Sequence, residues 1–258
     1  MDFNIKDFDL RLKSIKIWEL VIGIVISFVF GLIFSEILPI LNINVPAELL
    51  AQFFILIFFV YALRKTNNFK SSLTSAGDNW KEILYLFIIN FFFGFFVLSF
   101  FSFFAPEISN NLFEPSPNLL SFIYVVISSV IIVPIIEELM FRGVILNVLN
   151  NRVNFIYAII ISSVLFSLFH GFGRLIPSFL FGLCMCVVYL KTNNITIPII
   201  IHIINNATGT ICTDLYNVGV IILANPLNSI TFIISTISGI LILFYLRKNI
   251  KVLCSSDT

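Results

Sequence analysis

Residues 131–146, IIVPIIEELMFRGVIL, place two adjacent glutamates and an arginine inside an otherwise apolar run. An ionisable side chain at mid-bilayer costs about 2.5 kcal/mol or more, so such residues face a bundle interior and mark chemistry or transport. On a helix Glu138 and Arg142 share a face at i, i+4 spacing, where they can pair and offset each other's burial. Glu137 points about 100° away and has no such local partner. A buried carboxylate left without a partner suits a general base working near neutral pH.

The chain holds only two histidines, and both lie inside or at the ends of apolar runs. His170, in LFSLFHG, closes the apolar run 155–170, and His202 lies within IPIIIHIINNATG. One histidine in an apolar helix reads equally well as a hydrogen-bonded structural residue. Two histidines, two glutamates and an asparagine together point to a convergent site. His202 and Asn206 form an i, i+4 pair one turn after Pro198, and Phe166 stands one turn before His170, able to pack beside its ring. A turn near residues 150–154 puts Glu137 and His170 at similar distances from it, each about 25 Å of helix, so antiparallel neighbours would hold them at one level. His202 lies about 10 Å of helix inside its own segment, deep enough to reach them.

These groups suit amide hydrolysis by an activated water. Glu137 would take the proton, His170 would hold the water or share the base role, and His202 with Asn206 would donate to the oxyanion. Glu138 and Arg142 would orient their helix. A serine or cysteine nucleophile should stand beside a base; Ser167, three residues before His170, is the near miss. Two histidines and two carboxylates could also complete a zinc site. HExxH is absent and the donors come from three helices, but spacing alone leaves zinc open beside the reading that needs no cofactor.

The elements that position these residues are membrane helices. Hydrophobic residues make up 59% of the 258 and charged residues 11%, with 31 phenylalanines and a mean hydropathy of +1.06, against about 45–50% apolar and about 25% charged in soluble domains. A net charge of +1 without a basic cluster gives no footing for nucleic acid. A span needs about 20 apolar residues, and eight segments qualify: roughly 18–39, 47–63, 83–105, 119–141, 155–170, 175–190, 196–212 and 226–246. The expected fold is therefore all-α, a single integral membrane domain over 1–258 of about eight transmembrane helices, with a buried polar site between helices 4, 5 and 7. The fourth should continue through Leu149. Pro134 should kink it or leave a backbone group free one turn before the glutamates.

The polar residues 1–16 precede a long apolar run without a small-residue cleavage site, which reads as a retained first span. Lys6, Arg11, Lys13 and Lys16 precede the first span; Arg64, Lys65, Lys70 and Lys81 lie between the second and third; Arg247, Lys248 and Lys251 follow the last. With eight spans this places both termini in the cytoplasm, Arg174 being the exception. Residues 106–118, with Glu107, Glu114, Pro115 and Pro117, read as an irregular outer loop. Cys184, Cys186, Cys212 and Cys254 form no CxxC pair and read as packing residues.

EELMFR at 137–142, FSLFH at 166–170 and HIINN at 202–206 follow, in order, the patterns EExxxR, FxxxH and HxxxN. In these residues the chain resembles the CAAX protease and bacteriocin-processing family of intramembrane peptidases, over a core of about 119–212. The resemblance implies an all-helical endopeptidase with a glutamate-activated water and no obligatory metal. It puts the base on Glu137, the water-positioning histidine on His170, and the oxyanion donors on His202 and Asn206. It also implies a hydrophobic or lipidated peptide substrate met within the lipid bilayer. Richness in Ile, Asn, Lys and Phe suggests an AT-rich genome and a bacterial cell membrane, and hence peptide maturation or bacteriocin self-immunity. A non-catalytic membrane protein that confers immunity by binding a toxin or receptor is the rival reading. A proton-coupled carrier ranks lower, because no inverted repeat is visible.

Overall fold

The computed structural model describes residues 12, 14–41, 43, 45–63, 69–104, 119–212 and 227–256. Every regular element among them is helical. Helix α1 (Ile17–Ile37) and α2 (Ala47–Leu63) pack along each other. A Cβ on Gly31 would meet the Ala51 backbone nitrogen at 2.9 Å, and one on Gly23 would meet the Phe58 ring at 2.8 Å. Residue numbers descend on one helix as they rise on the other, so the two run antiparallel, and small residues set their spacing.

Next come α3 (Phe69–Asp78), α4 (Trp80–Gly94) and α5 (Phe96–Phe104). The sequence reading did not foresee α3. Helices α4 and α5 are one apolar stretch interrupted at Phe95, just after Gly94, a poor residue for a helix interior. Residues 119–150 then form a continuous helix, α6, followed by α7 (Phe155–Leu168), α8 (Gly171–Thr192), α9 (Thr196–Thr210) and α10 (Leu227–Ser256). Helix α6 is flanked by α1, α2, α7, α8 and α9. Helix α8 runs through the centre, with Cys184, Met185, Cys186, Val187 and Val188 wholly buried.

Among the described residues five helical stretches are long and apolar enough to cross a membrane: Ile17–Ile40, Trp80–Phe103, Phe122–Asn150, Arg174–Thr192 and Leu227–Ser255. Their outer faces expose Val21, Val25, Leu32, Leu243 and Phe244, as lipid-facing surfaces do. Five of the eight expected segments are thus long enough by themselves, and the other three are shorter apolar helices. Helices α2, α7 and α9 have 17, 14 and 15 residues. At 1.5 Å per residue these lengths come to about 21–26 Å, against a hydrocarbon core of roughly 30 Å, and α9 continues in π-helical form through residue 212. Lys6, Arg11, Lys13, Arg64, Lys65 and the loop 106–118 lie outside the described residues.

Helix α6 does run past Arg142, and it meets Pro134 in its own way. Val126–Ile132 is π-helical, and the Val133 amide donates to the Ser128 carbonyl five residues back. Proline clashes with the carbonyl four residues before it, and the widened turn takes up the ring. Leu139–Leu146 is π-helical again, and side chains satisfy its carbonyls. Ser162 Oγ donates to Phe141 at 3.1 Å, and Asn147 Nδ2 donates to Arg142 at 3.0 Å and Gly143 at 2.7 Å. Such turns concentrate at functional sites, and both flank the glutamates.

Helices α7 and α8 approach closely at Gly182, where a Cβ would meet Ser163 Cβ at 3.1 Å and Cα at 3.2 Å. Gly182→Ala is expected to push the two helices apart by a few tenths of an ångström and to destabilise the protein by about 1–3 kcal/mol, the usual range for overpacking. A lower melting temperature in detergent checks it; an unchanged one refutes the tight packing.

Candidate active site

The turn Asn151–Asn154 closes α6 and, with Asn154 Oδ1 capping Ile156 N at 2.9 Å, starts α7. Helix α7 ends at Leu168, so His170 is not the last residue of that helix as the sequence reading had it. It stands in the break before α8, with φ −110° and ψ 51°, followed by Gly171 at φ +36°. Glycine takes that left-handed turn without steric cost. The chain reverses there, and the imidazole points back at α6.

His170 Nδ1 lies 2.9 Å from the Phe166 carbonyl. A carbonyl only accepts, so Nδ1 carries the proton and Nε2 of the neutral ring is an acceptor. Nε2 is 4.0 Å from Glu137 Oε2. From α9, His202 Nε2 lies 3.7 Å from the same oxygen, and His202 Nδ1 is 2.8 Å from Glu138 Oε1. Glu138 Oε1 also accepts from Arg142 Nη1 at 2.9 Å, both side chains being fully buried. Arg142 Nη2 reaches the Gly182 carbonyl at 3.3 Å, and the guanidinium sits 4.3 Å from the Phe166 ring centroid.

Phe166 touches both histidines, with centroids 4.4 Å from His170 and 5.8 Å from His202. Phe181, a wall residue that sequence reasoning missed, meets the His202 ring edge-on at 4.8 Å. Nothing in an apolar run marks one phenylalanine among so many. Glu137, Glu138, Arg142, Phe166, His170 and His202 thus converge. Asn206 stays one turn away, where its Nδ2 donates to the Ser129 carbonyl at 2.8 Å. Ser167 Oγ donates to Val164 O at 2.8 Å, a bond within its own helix.

Glu137 Oε2 is buried without a hydrogen-bond partner, and two ring nitrogens face it from beyond hydrogen-bonding range. A water oxygen about 2.8 Å from each of these atoms fits that spacing. Among the described residues no group of three or more His, Cys, Asp or Glu side chains is set to hold a metal ion.

Residues 119–208 match the Rce1-like family, described as type II CAAX prenyl endopeptidase Rce1-like, and that stretch contains every converging residue. Over these residues the chain is similar to this family. It is 35% identical over 82 residues to YdiL of Bacillus subtilis (strain 168), classed by name as a membrane peptidase, covering 31% of this chain and 34% of the relative. It is 36% identical over 83 residues to the membrane-embedded CAAX protease MroQ of Staphylococcus aureus (strain USA300), covering 30% of this chain and 34% of the relative. The chain thus matches about a third of the length of these curated relatives. No solved structure matches it significantly. In the matched stretch the buried charges come from α6 and the imidazoles from the α7–α8 break and α9.

Proposed function

We propose that this Rce1-like protein is an intramembrane endopeptidase that hydrolyses a peptide bond of a hydrophobic or lipidated, membrane-associated substrate with a glutamate-activated water. The observation that carries this reading is the unpartnered, buried Glu137 Oε2 faced by His170 and His202. Glu137 takes a proton from the water while the water oxygen bonds to the scissile carbonyl carbon and the carbonyl electron pair moves onto its oxygen. His170 Nε2 accepts the second water hydrogen and aims the oxygen. The carbon–nitrogen bond then breaks, and Glu137 passes its proton to the leaving nitrogen. His202 is the nearest donor to the oxyanion. Asn206 joins it only by leaving the Ser129 carbonyl, or through its second amide hydrogen.

In this reading the short helices α2, α7 and α9 also cross the bilayer with tilted or thinned surroundings, giving eight crossings and cytoplasmic termini in a bacterial membrane. The test compares peptides in membrane and secreted fractions from cells with and without the protein, with and without a chelator. Peptides that depend on the protein and persist under chelation are expected. Identical peptide profiles with and without the protein would leave a binding or immunity role. Protein-dependent peptides that vanish under chelation would return the metal-dependent reading.

A further inference from the structure

His202 Nδ1 and Arg142 Nη1 both reach Glu138 Oε1, at 2.8 Å and 2.9 Å. A carboxylate held by a guanidinium is ionised and only accepts, so the proton between Glu138 and His202 sits on Nδ1. With that nitrogen fixed as N–H, a neutral ring would present a bare lone pair at Nε2. Nε2 points at Glu137 Oε2, 3.7 Å away, and a lone pair there can neither pair with a carboxylate nor donate to an oxyanion. A second proton on Nε2 permits both.

The charges agree with that state. Glu137 and Glu138 bring two negative charges into the bundle, and Arg142 brings one positive. An uncompensated charge at that depth is costly, and a protonated His202 makes the sum zero. His170 is committed through Nδ1 to the Phe166 carbonyl and makes no contact with Glu138.

We propose that Glu138 is a positioning residue that holds His202 as an imidazolium, so that its Nε2–H can serve the oxyanion, with Arg142 keeping Glu138 ionised. This deepens the proteolytic reading above and rests on it for the oxyanion role; the charge assignment itself stands on geometry. When Glu137 takes the water proton, negative charge moves to the oxyanion beside a cation already in place, and the site stays neutral throughout.

Because the chain has only two histidines, its imidazole nitrogens can be read one by one. The experiment is nitrogen-15 NMR of histidine-labelled protein in detergent at pH 7, with His170→Gln to assign the signals. Wild type is expected to show His202 protonated on both nitrogens and His170 on Nδ1 alone. In Glu138→Gln the Nε2 proton of His202 is lost, and kcat falls on the order of 10²-fold, the cost of one oxyanion donor, with KM unchanged. Glu138→Asp restores the doubly protonated signature in part. A wild-type His202 carrying a single proton overturns the proposal even if no variant folds, and so does a signature indifferent to Glu138→Gln. A doubly protonated His202 in a protein that cleaves nothing would instead overturn the proteolytic reading.

Discussion

Glu137→Gln is expected to lower kcat about 10²–10⁴-fold, the range that a positioned general base supplies, while KM and expression stay near wild type. Glutamine keeps the shape of glutamate and both contact atoms but cannot take a proton from water at neutral pH. The side chain is only slightly exposed, at 16%, and its Oε2 has no hydrogen-bond partner, so no existing bond is lost. Loss of the charge removes repulsion from Glu138 as well as attraction to His202, which argues against a folding defect. Single-turnover cleavage of a substrate peptide identified by the peptide comparison measures the effect. Wild-type rates in the variant would exclude Glu137 as base and move attention to His170, the other acceptor beside the water position.

The Glu138–Arg142 bridge was legible because i, i+4 spacing is a property of any helix, and residues 131–146 continue as helix whatever surrounds them. The level at which Glu137 and His170 meet followed from the turn at 151–154, and the asparagine cap there is a local signal. The Glu138–His202 contact was not legible. It depends on how α9 is rotated against α6, and the i, i+4 rule says nothing between helices. The sequence reading therefore gave Glu138 a role on its own helix only, whereas its carboxylate serves a histidine 64 positions away.

The break at His170 was hidden for a different reason. FSLFHG continues an apolar pattern, while the chain leaves the helix after Leu168 and turns through His170 and the positive φ of Gly171. The π-helical stretches have no signature beyond Pro134, and Asn206 donates to the Ser129 carbonyl within the first of them. Hydropathy showed eight apolar segments, and the bounds of α2 agree with it, whereas α7 ends at Leu168, two residues short of the expected segment.

Arg142→Met is expected to destabilise the protein by about 3–5 kcal/mol, the cost of breaking a buried pair and leaving one charge behind. Methionine fills most of the space beside Phe166 but leaves Glu138 facing Glu137 with only His202 between them. The Gly182 carbonyl also loses its donor. Glu138→Gln with Arg142→Met removes both charges together, and pairs replaced by packed neutral groups are often close to neutral in stability. The double variant should therefore melt well above Arg142→Met alone in detergent, a coupling that independent sites would not give. If the two substitutions lower stability additively, the bridge is not an energetic unit, and Arg142 acts through Phe166 and Gly182 instead. Cleavage should remain low in the double variant even where stability returns, because His202 has then lost the carboxylate that holds its Nδ1 proton. Stability recovering without activity separates what the bridge does for the fold from what it does for the histidine.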